Sequence, residues 1–581
     1  MQDRIRIGLL LDNQFAPNWI HTTIAQLLAT ESIELSLIVF NETPPKGPSG
    51  PQPFPFRCWK KVDQWIFRRT LAPEVLTWLA EVGETDDPLA ARNCKSYAVP
   101  AITLRFEGRT LSANDLSQIR AHCLDVLLQL GSADLPDGIL NCAECGVWAF
   151  HYSGYNGADS ELALFWNLFK GRRTCELVLT ASGGRLCRDH VLYRVILSSD
   201  IFSLYRNLTL DCCRRSRILL RRLSDLSHMG WENMVMEATA ERNTVDERTQ
   251  TASLSQGMPS FIVSWFLRVL RRLFSNLCLE QQWFFAYGKT SSPDTSEQAR
   301  VDQLRVVMPP RGQNYCDPFP FEHNGRMYLF FELYVGDQPG TIWCAEVHDD
   351  GTLSEAFPVL TRNYHLSYPL IFESHGDIYM MPETRDNKTV ELYVAVDFPH
   401  RWEFAAVLLR NITAVDSTIL EHNGKLWLFA AGLGGAATES SELSLFFADS
   451  LLGEWHPHPK NPIVRDVRRA RPAGNLFLDR NVLIRPAQDC SECYGYAISL
   501  NQVEVISETD YKESFLTTIL PNWMPNLCAT HTFNQRDGFR VLDGRRWVRR
   551  WRLSGDTHPL TVPGFRVPAG ANLSGVNDVD R

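Results

Sequence analysis

No stretch of this chain approaches the ~18 uninterrupted apolar residues of a helical membrane span, so no such span is expected. A basic surplus is also missing: 58 Lys and Arg face 67 Asp and Glu, a net charge of -9, and a general nucleic-acid binder carries the opposite balance. The opening MQDRIRIGLLLDNQ lacks the long apolar segment and small-residue cleavage site of a secretory leader. Asp12 ends its apolar run, and a buried first strand is expected instead. Cysteine is plentiful at 15, but an odd count without regular spacing is no disulfide framework; reduced thiols in a cytoplasmic protein are expected. Cys142/Cys145 and Cys490/Cys493 are far apart and neither completes a four-ligand zinc site, so no metal is expected.

What is present is a globular composition, 44% hydrophobic with 16 Trp and 31 Phe in 581 residues, too long for one core. The expected division is 1–200 as an α/β domain, 201–280 as a helical connector with a linker, 281–545 as an all-β domain and 546–581 as a tail.

In the first part, RIRIGLLL and IELSLIVF read as strands around the helical NWIHTTIAQLLAT, and LDVLLQLG and GVWAFHYS read as two more strands. Alternating strands and helices imply a parallel, doubly wound sheet with its chemistry beyond the carboxyl ends of strands, where His151 falls. From about Arg4 to Leu192, and most clearly at GVWAFHYSGYNG, the sequence resembles the formyltransferase family. That family carries Asn-x-His at the transferred formyl group and an aspartate downstream. His151 matches the histidine, the asparagine position is Ala149, and ASGGRLC holds no aspartate, leaving Asp189 as a displaced candidate. Formyl transfer needs an oxyanion donor and a group managing the amine proton, so a degenerate domain is expected, with 10-formyltetrahydrofolate as cofactor only if it is active.

After Asp200, FSLYRNLTLDCCRRSRILLRRLSDL spaces apolar and basic residues helically, and EATAERNTVDERTQTASLSQG reads as a linker. FIVSWFLRVLRRLFSNL, 261–277, is an amphipathic helix with Arg268, Arg271 and Arg272 on its polar side. It is expected to dock one domain on the other; the sharper alternative is peripheral contact with the inner face of a membrane. The basic segment RRWVRRWRL, 545–553, carries the same alternative.

The second half repeats itself. CDPFPFEHNGRMYLFFE, SYPLIFESHGDIYMMPE, DSTILEHNGKLWLFAA and GNLFLDRNVLIRPAQD each give a polar opening, a strand, a turn and a second strand, and HTFNQRDGFRVLDG is a weaker fifth copy. With the strand pairs between them the repeat is roughly 50 residues, the period of a propeller blade, and QQWFFAYG is placed to close the ring with the last blade. Asp317, Tyr368 and Asp416 open equivalent inner strands, and Glu332, Glu383 and Asp489 close their partners. Acids from several blades would then share one axial pit. Crowding pushes their pKa values apart, as glycosidic cleavage or transfer requires.

The motifs CDPFPF, HLSYPLIFE, DIYMMPE, DFPHRWEF, LLGEWHPHPKNPI, RPAGNLF and RPAQDCSECYG resemble the amino-terminal propeller of plant glucosamine inositolphosphorylceramide transferases, over 315–515. That propeller is similar in layout to five-bladed furanosidases. The resemblance implies a sugar, nucleotide-sugar or glycolipid substrate, and His365, Arg471, Arg485 and Gln488 lie in its motifs. The arginines could fork onto an anionic sugar or neutralise the acids. The expected catalytic set is Asp317 as base or nucleophile, Glu383 as acid and Asp416 as orienter, with His151 reserved for formyl transfer. A non-enzymatic glycan-binding scaffold is the third reading.

Overall fold

In the computed structural model of the chain, the described residues are 4–41, 54–83, 86–94, 97–104, 111–131, 135–136, 138–155, 160–186, 189–240, 254–289, 304–433, 435, 438–536 and 538–550. Two compact units divide near Arg271 and Arg272. The tail beyond 550, and most of the expected linker, lie outside the described residues.

In the first unit the apolar runs that cannot be solvated on either face become neighbouring parallel strands. Ile5–Leu11 lies between Ile33–Asn41 and Val126–Gln129, parallel to both, and Val147–Tyr152 extends the parallel set. Thr174–Ser182 and His190–Ser198 then turn antiparallel, giving a mixed seven-stranded sheet of order Ala101–Leu104, Ile33–Asn41, Ile5–Leu11, Val126–Gln129, Val147–Tyr152, Thr174–Ser182, His190–Ser198. The chain winds outward from Ile5–Leu11 in both directions, which creates a switch point beside that strand. Helix Leu204–Met229, expected as connector, is core of this unit. Leu219 and Leu223 are buried, and two of its arginines are spent inside it: Arg215 Nε pairs with Asp211 at 2.8 Å and Arg222 Nη1 with Asp225 at 2.9 Å. These two basic residues, which look like part of a solvated face, are neutralised within a turn of themselves.

The second unit is a five-bladed β-propeller. Four sheets of four antiparallel strands run in order: Gln313–His323 to Phe357–Leu360, Ser367–Ser374 to Arg401–Arg410, Val415–His422 to His456–Pro457, and Phe477–Asp479 to Tyr511–Ile519. The fifth is closed as expected: Leu279–Lys289 pairs along its whole length with Phe539–Arg549, the last strand of the chain's described part. The basic stretch from Arg545 is thus strand, with Arg546 donating to Gln282 Oε1 at 3.0 Å. Residues 551–553 lie outside the described residues.

Each of the first three inner hairpins turns through two left-handed residues, Asn324-Gly325, His375-Gly376 and Asn423-Gly424, which twists the strands correctly. Each also carries the same bulge at its opening. Between Cys316 and Phe319, Ser367 and Leu370, and Val415 and Thr418, one strand has an extra residue. Asp317, Tyr368 and Asp416 sit there with φ of +49°, +47° and +49°. A side chain in that conformation is strained, and its recurrence shows how the repeat aims one residue per blade inward.

Candidate functional site

The bulges bring the predicted acids into one hydrogen-bonded chain. Asp416 donates its backbone N–H to Glu383 Oε2 at 3.0 Å, and Tyr368 donates its N–H to Asp317 Oδ2 at 3.3 Å. Of Asp317, Glu383 and Asp416, Glu383 has the fewest partners among the described residues. Burial, then the charge of Asp416, push its carboxyl up to about 8, against the opposing pull of Arg471. Burial likewise pushes Asp317 up to about 7, opposed chiefly by His531. Asp416 is held differently: Arg471 Nε lies 2.5 Å and Gln488 Nε2 2.8 Å from its Oδ2. Arg471 also faces Glu383 at 3.9 Å and Glu439 at 4.0 Å, and its guanidinium lies 4.9 Å over the ring of Tyr494. These acids are nearly buried. Tyr494, 44% exposed, and the His365 side chain, 39% exposed, form the solvent edge of the group.

His365 pairs with Glu332 Oε1 at 3.1 Å and accepts from Gly340 N at 3.0 Å. The bond to Glu332 and the charge of Glu383 favour its protonated form and raise it to about 9 against burial, although only the neutral ring, with its hydrogen on Nε2, can accept from Gly340. Tyr368 is placed with the acids but cannot meet a ligand. It is wholly buried, its hydroxyl 2.9 Å from Thr418 Oγ1 and accepting from Gly474 N at 2.6 Å. Arg485 is a correction: its Nε and Nη2 are spent on Glu513 at 2.7 and 2.8 Å, and Nη2 also donates to Arg469 O. Its bonds among the described residues go to Glu513 and Arg469 rather than to the axial acids. Asp489 accepts from Ser491 N at 2.9 Å and feels Asp466 and Arg468 rather than the axial group.

The sequence reading missed the fifth blade's share. His531 Nδ1 meets Asp543 Oδ2 at 2.5 Å and its Nε2 lies 3.5 Å from Asp317 Oδ1, while Thr532 Oγ1 donates to that oxygen at 2.6 Å. Trp283 stacks on the imidazole at 4.1 Å. Burial pulls the imidazolium down, but Asp543 and Asp317 outweigh it, to about 9. Asp317, His531 and Asp543 offer ligand atoms within 4.8 Å of one another, the spacing of a cation site. A protonated His531 already supplies the positive charge there, so an ion would have to displace its proton.

In the first unit, His151 is half-buried on Val147–Tyr152, opposite Val178. Burial, then Arg215 and Arg194, hold it below the usual histidine range, while Glu176 and the displaced candidate Asp189 act on it only through space. A separate cavity of about 470 Å³ opens at the carboxyl ends of Ile5–Leu11 and Val126–Gln129, lined by Asp12, Trp19, Asp63, Gly131, Asp211 and Arg215 among others, and His151 is not in its wall. Asp63 accepts from Tyr205 N at 2.8 Å, and burial pushes it up to about 7.

Residues 309–523, the first four blades, match the family described as glucosamine inositolphosphorylceramide transferase 1, N-terminal. The chain is 39% identical over 203 residues to glucosamine inositolphosphorylceramide transferase 1 of Arabidopsis thaliana, covering 34% of this chain and 26% of that one. It is 37% identical over 203 residues to the protein of the same name in Oryza sativa subsp. japonica. The chain therefore spans about a quarter of the length of these curated relatives. Among solved structures, a family 117 glycoside hydrolase of Zobellia galactanivorans aligns with a TM-score of 0.30 and 14% identity, over 45% of this chain and 90% of that one. An α-L-arabinofuranosidase from Lactobacillus brevis gives 0.30 and 11%, over 39% and 89%. Such distant likenesses carry no functional argument.

Proposed function

We propose that the propeller is a carbohydrate-active module of glycan or glycolipid biosynthesis that holds a sugar unit at the axial acids and cleaves or transfers it. The observation that carries this reading is the inward-aimed bulge repeated in three successive blades, which sets Asp317, Glu383 and Asp416 in one network inside the segment that matches the plant transferases. Glu383, held protonated near neutral pH and with Oε1 outside any hydrogen bond among the described residues, is the general acid. Asp416, neutralised by Arg471 and Gln488, orients it, and Asp317, backed by His531, is the base or nucleophile. The plant relatives' name makes a glucosamine-bearing or inositol-bearing glycolipid the first substrate to try.

The test is a glycan and glycolipid array with the full-length chain, followed by product analysis on whatever binds. Glu383→Gln should keep binding within about threefold while abolishing any turnover, because an uncharged isostere fills the same space without a proton to give. Retention of no glycan by the wild-type chain would end the proposal; unchanged turnover in Glu383→Gln would reduce it to glycan binding without catalysis. Formyl transfer by the first unit is the alternative, tied to His151 and 10-formyltetrahydrofolate. Its absence from the cavity wall at the strand ends weighs against it, and calorimetry with a folate analogue decides it.

A further inference from the structure

Helix Leu254–Cys278 has two apolar faces, and the described residues cover only one of them. On the covered side Phe261 stacks on Phe169 at 5.3 Å, Trp59 lies 5.0 Å from Phe261, and Trp265 Nε1 donates to Phe202 O at 2.6 Å. This face anchors the helix to the first unit. On the other side Val263, Phe266, Leu267, Leu270, Phe274 and Leu277 are each between 44 and 67% exposed. At 100° per residue they fall within an arc of about 100°, a continuous stripe along the helix. Scattered exposed leucines need no explanation, but an aligned row of this length does.

Charge distinguishes among possible occupants. The helix has no Asp or Glu, and Arg271 borders the stripe with Arg268 beyond it. Arg268 approaches Gly171 and lies in the field of Arg173, so the exposed Lys170-Gly171-Arg172 turn adds to the same basic margin. The chain as a whole carries -9, so a local cationic border beside an apolar stripe is selective rather than general. No helix among the described residues is long and apolar enough to cross a membrane, so this one would lie flat.

We propose that this face seats the protein on an anionic lipid surface, with the aromatic and aliphatic side chains in the acyl boundary and the arginines at the phosphates. A second copy of the chain would want an uncharged or acidic margin opposite these arginines; phosphates supply the complement directly. The inference goes beyond the propeller proposal and stands without it.

The test is co-sedimentation of the full-length protein with vesicles of phosphatidylcholine and phosphatidylglycerol, about three to one, against phosphatidylcholine alone. The wild type should pellet with the anionic vesicles and be released as salt rises. Phe266→Glu with Phe274→Glu should lower the bound fraction at least about tenfold, with an unchanged far-ultraviolet spectrum because both residues are exposed. Arg268→Gln with Arg271→Gln should lower it less and flatten the salt dependence. Equal pelleting of the wild type and the glutamate pair, or none by the wild type, overturns the proposal. So does a wild-type dimer that the glutamate pair makes monomeric without any vesicle dependence, which would make the stripe an interface between copies.

Discussion

The axial network has two ends built from one device and finished differently. Asp317 and Asp416 occupy the same bulge, with φ of +49° in both, yet one is countered by a histidine of the fifth blade and the other by an arginine of the fourth. Both acids and Arg471 lie inside the segment that matches the plant transferases, whereas His531 and its partner Asp543 lie beyond it. A guanidinium cannot give up its charge at any ordinary pH, whereas an imidazolium can. The cation of the first end is therefore permanent and that of the second can be titrated away, although the backbone geometry that presents the two acids is the same.

The largest expected effect comes from breaking the fixed end. Arg471→Met leaves Asp416 and Glu383 buried without their cation, and removing one member of a buried ion pair costs about 3–5 kcal/mol. Urea unfolding should show this loss. Adding Asp416→Asn should recover more than half of it, since the acid left unpaired is then uncharged. Equal instability of the single and double variants would mean that packing of the guanidinium, not its charge, holds this end. Arg485→Met is the control: it should destabilise through Glu513 but leave sugar binding unchanged, because Arg485 is tied up away from the axis.

Those two arginines also show where sequence reading stops. Both sit in motifs of the same resemblance, and nothing local separates them. The strand Val482–Asp489 does: alternate residues face opposite ways, so Arg485 cannot share a face with Gln488, which reaches Asp416. The blades themselves were legible because turn residues and apolar strands recur together. The acid closing the second inner strand comes seven residues after the turn glycine in the first two blades, at Glu332 and Glu383. In the third that place is Ala431, and in the fifth the buried carboxylate is Asp543, five residues after Gly538, so a fixed offset passes over it and over His531. In the first unit the strand pattern was readable, but the packing of Leu204–Met229 was hidden by arginines whose partners, Asp211 and Asp225, lie within one turn.

Titration sharpens the comparison with a middling effect. His531 in the folded chain protonates at about 9, above its ordinary 6.5, because Asp543, Asp317 and Asp416 face it and outweigh burial. A folded pKa above the unfolded one gives stability that is complete below about 6.5 and is lost as pH rises through about 9. Asp317, raised from 3.8 to about 7, works in the same direction at lower pH, its contribution fading between those values. Thermal or urea unfolding should therefore weaken from pH 6.5 to 9, with His531 supplying on the order of 2 kcal/mol of the change. His531→Asn should remove its share of that limb and leave the part due to Glu383, raised from 4.5 to about 8, untouched. A wild-type profile that is flat over this window would mean that His531 is not charged in the folded protein.

Between the two ends stands Tyr368, which fills the same bulge in the intervening blade with an uncharged side chain. Its hydroxyl lies 2.9 Å from Thr418 Oγ1 and receives Gly474 N at 2.6 Å, so it ties the second blade to the third and fourth. Gly474 has φ +132°, and a Cβ there would come within 2.2 Å of Phe533 O, so no side chain fits at that position. Tyr368→Phe removes only the hydroxyl and leaves Gly474 N–H buried without its acceptor, a cost of about 1–2 kcal/mol. Because Tyr368 touches no solvent, glycan binding should follow stability alone: affinity within about twofold of wild type at a temperature where both variants are folded. A tenfold fall in affinity with little loss of stability would instead show that the two ends act on a bound sugar through the tyrosine that joins them.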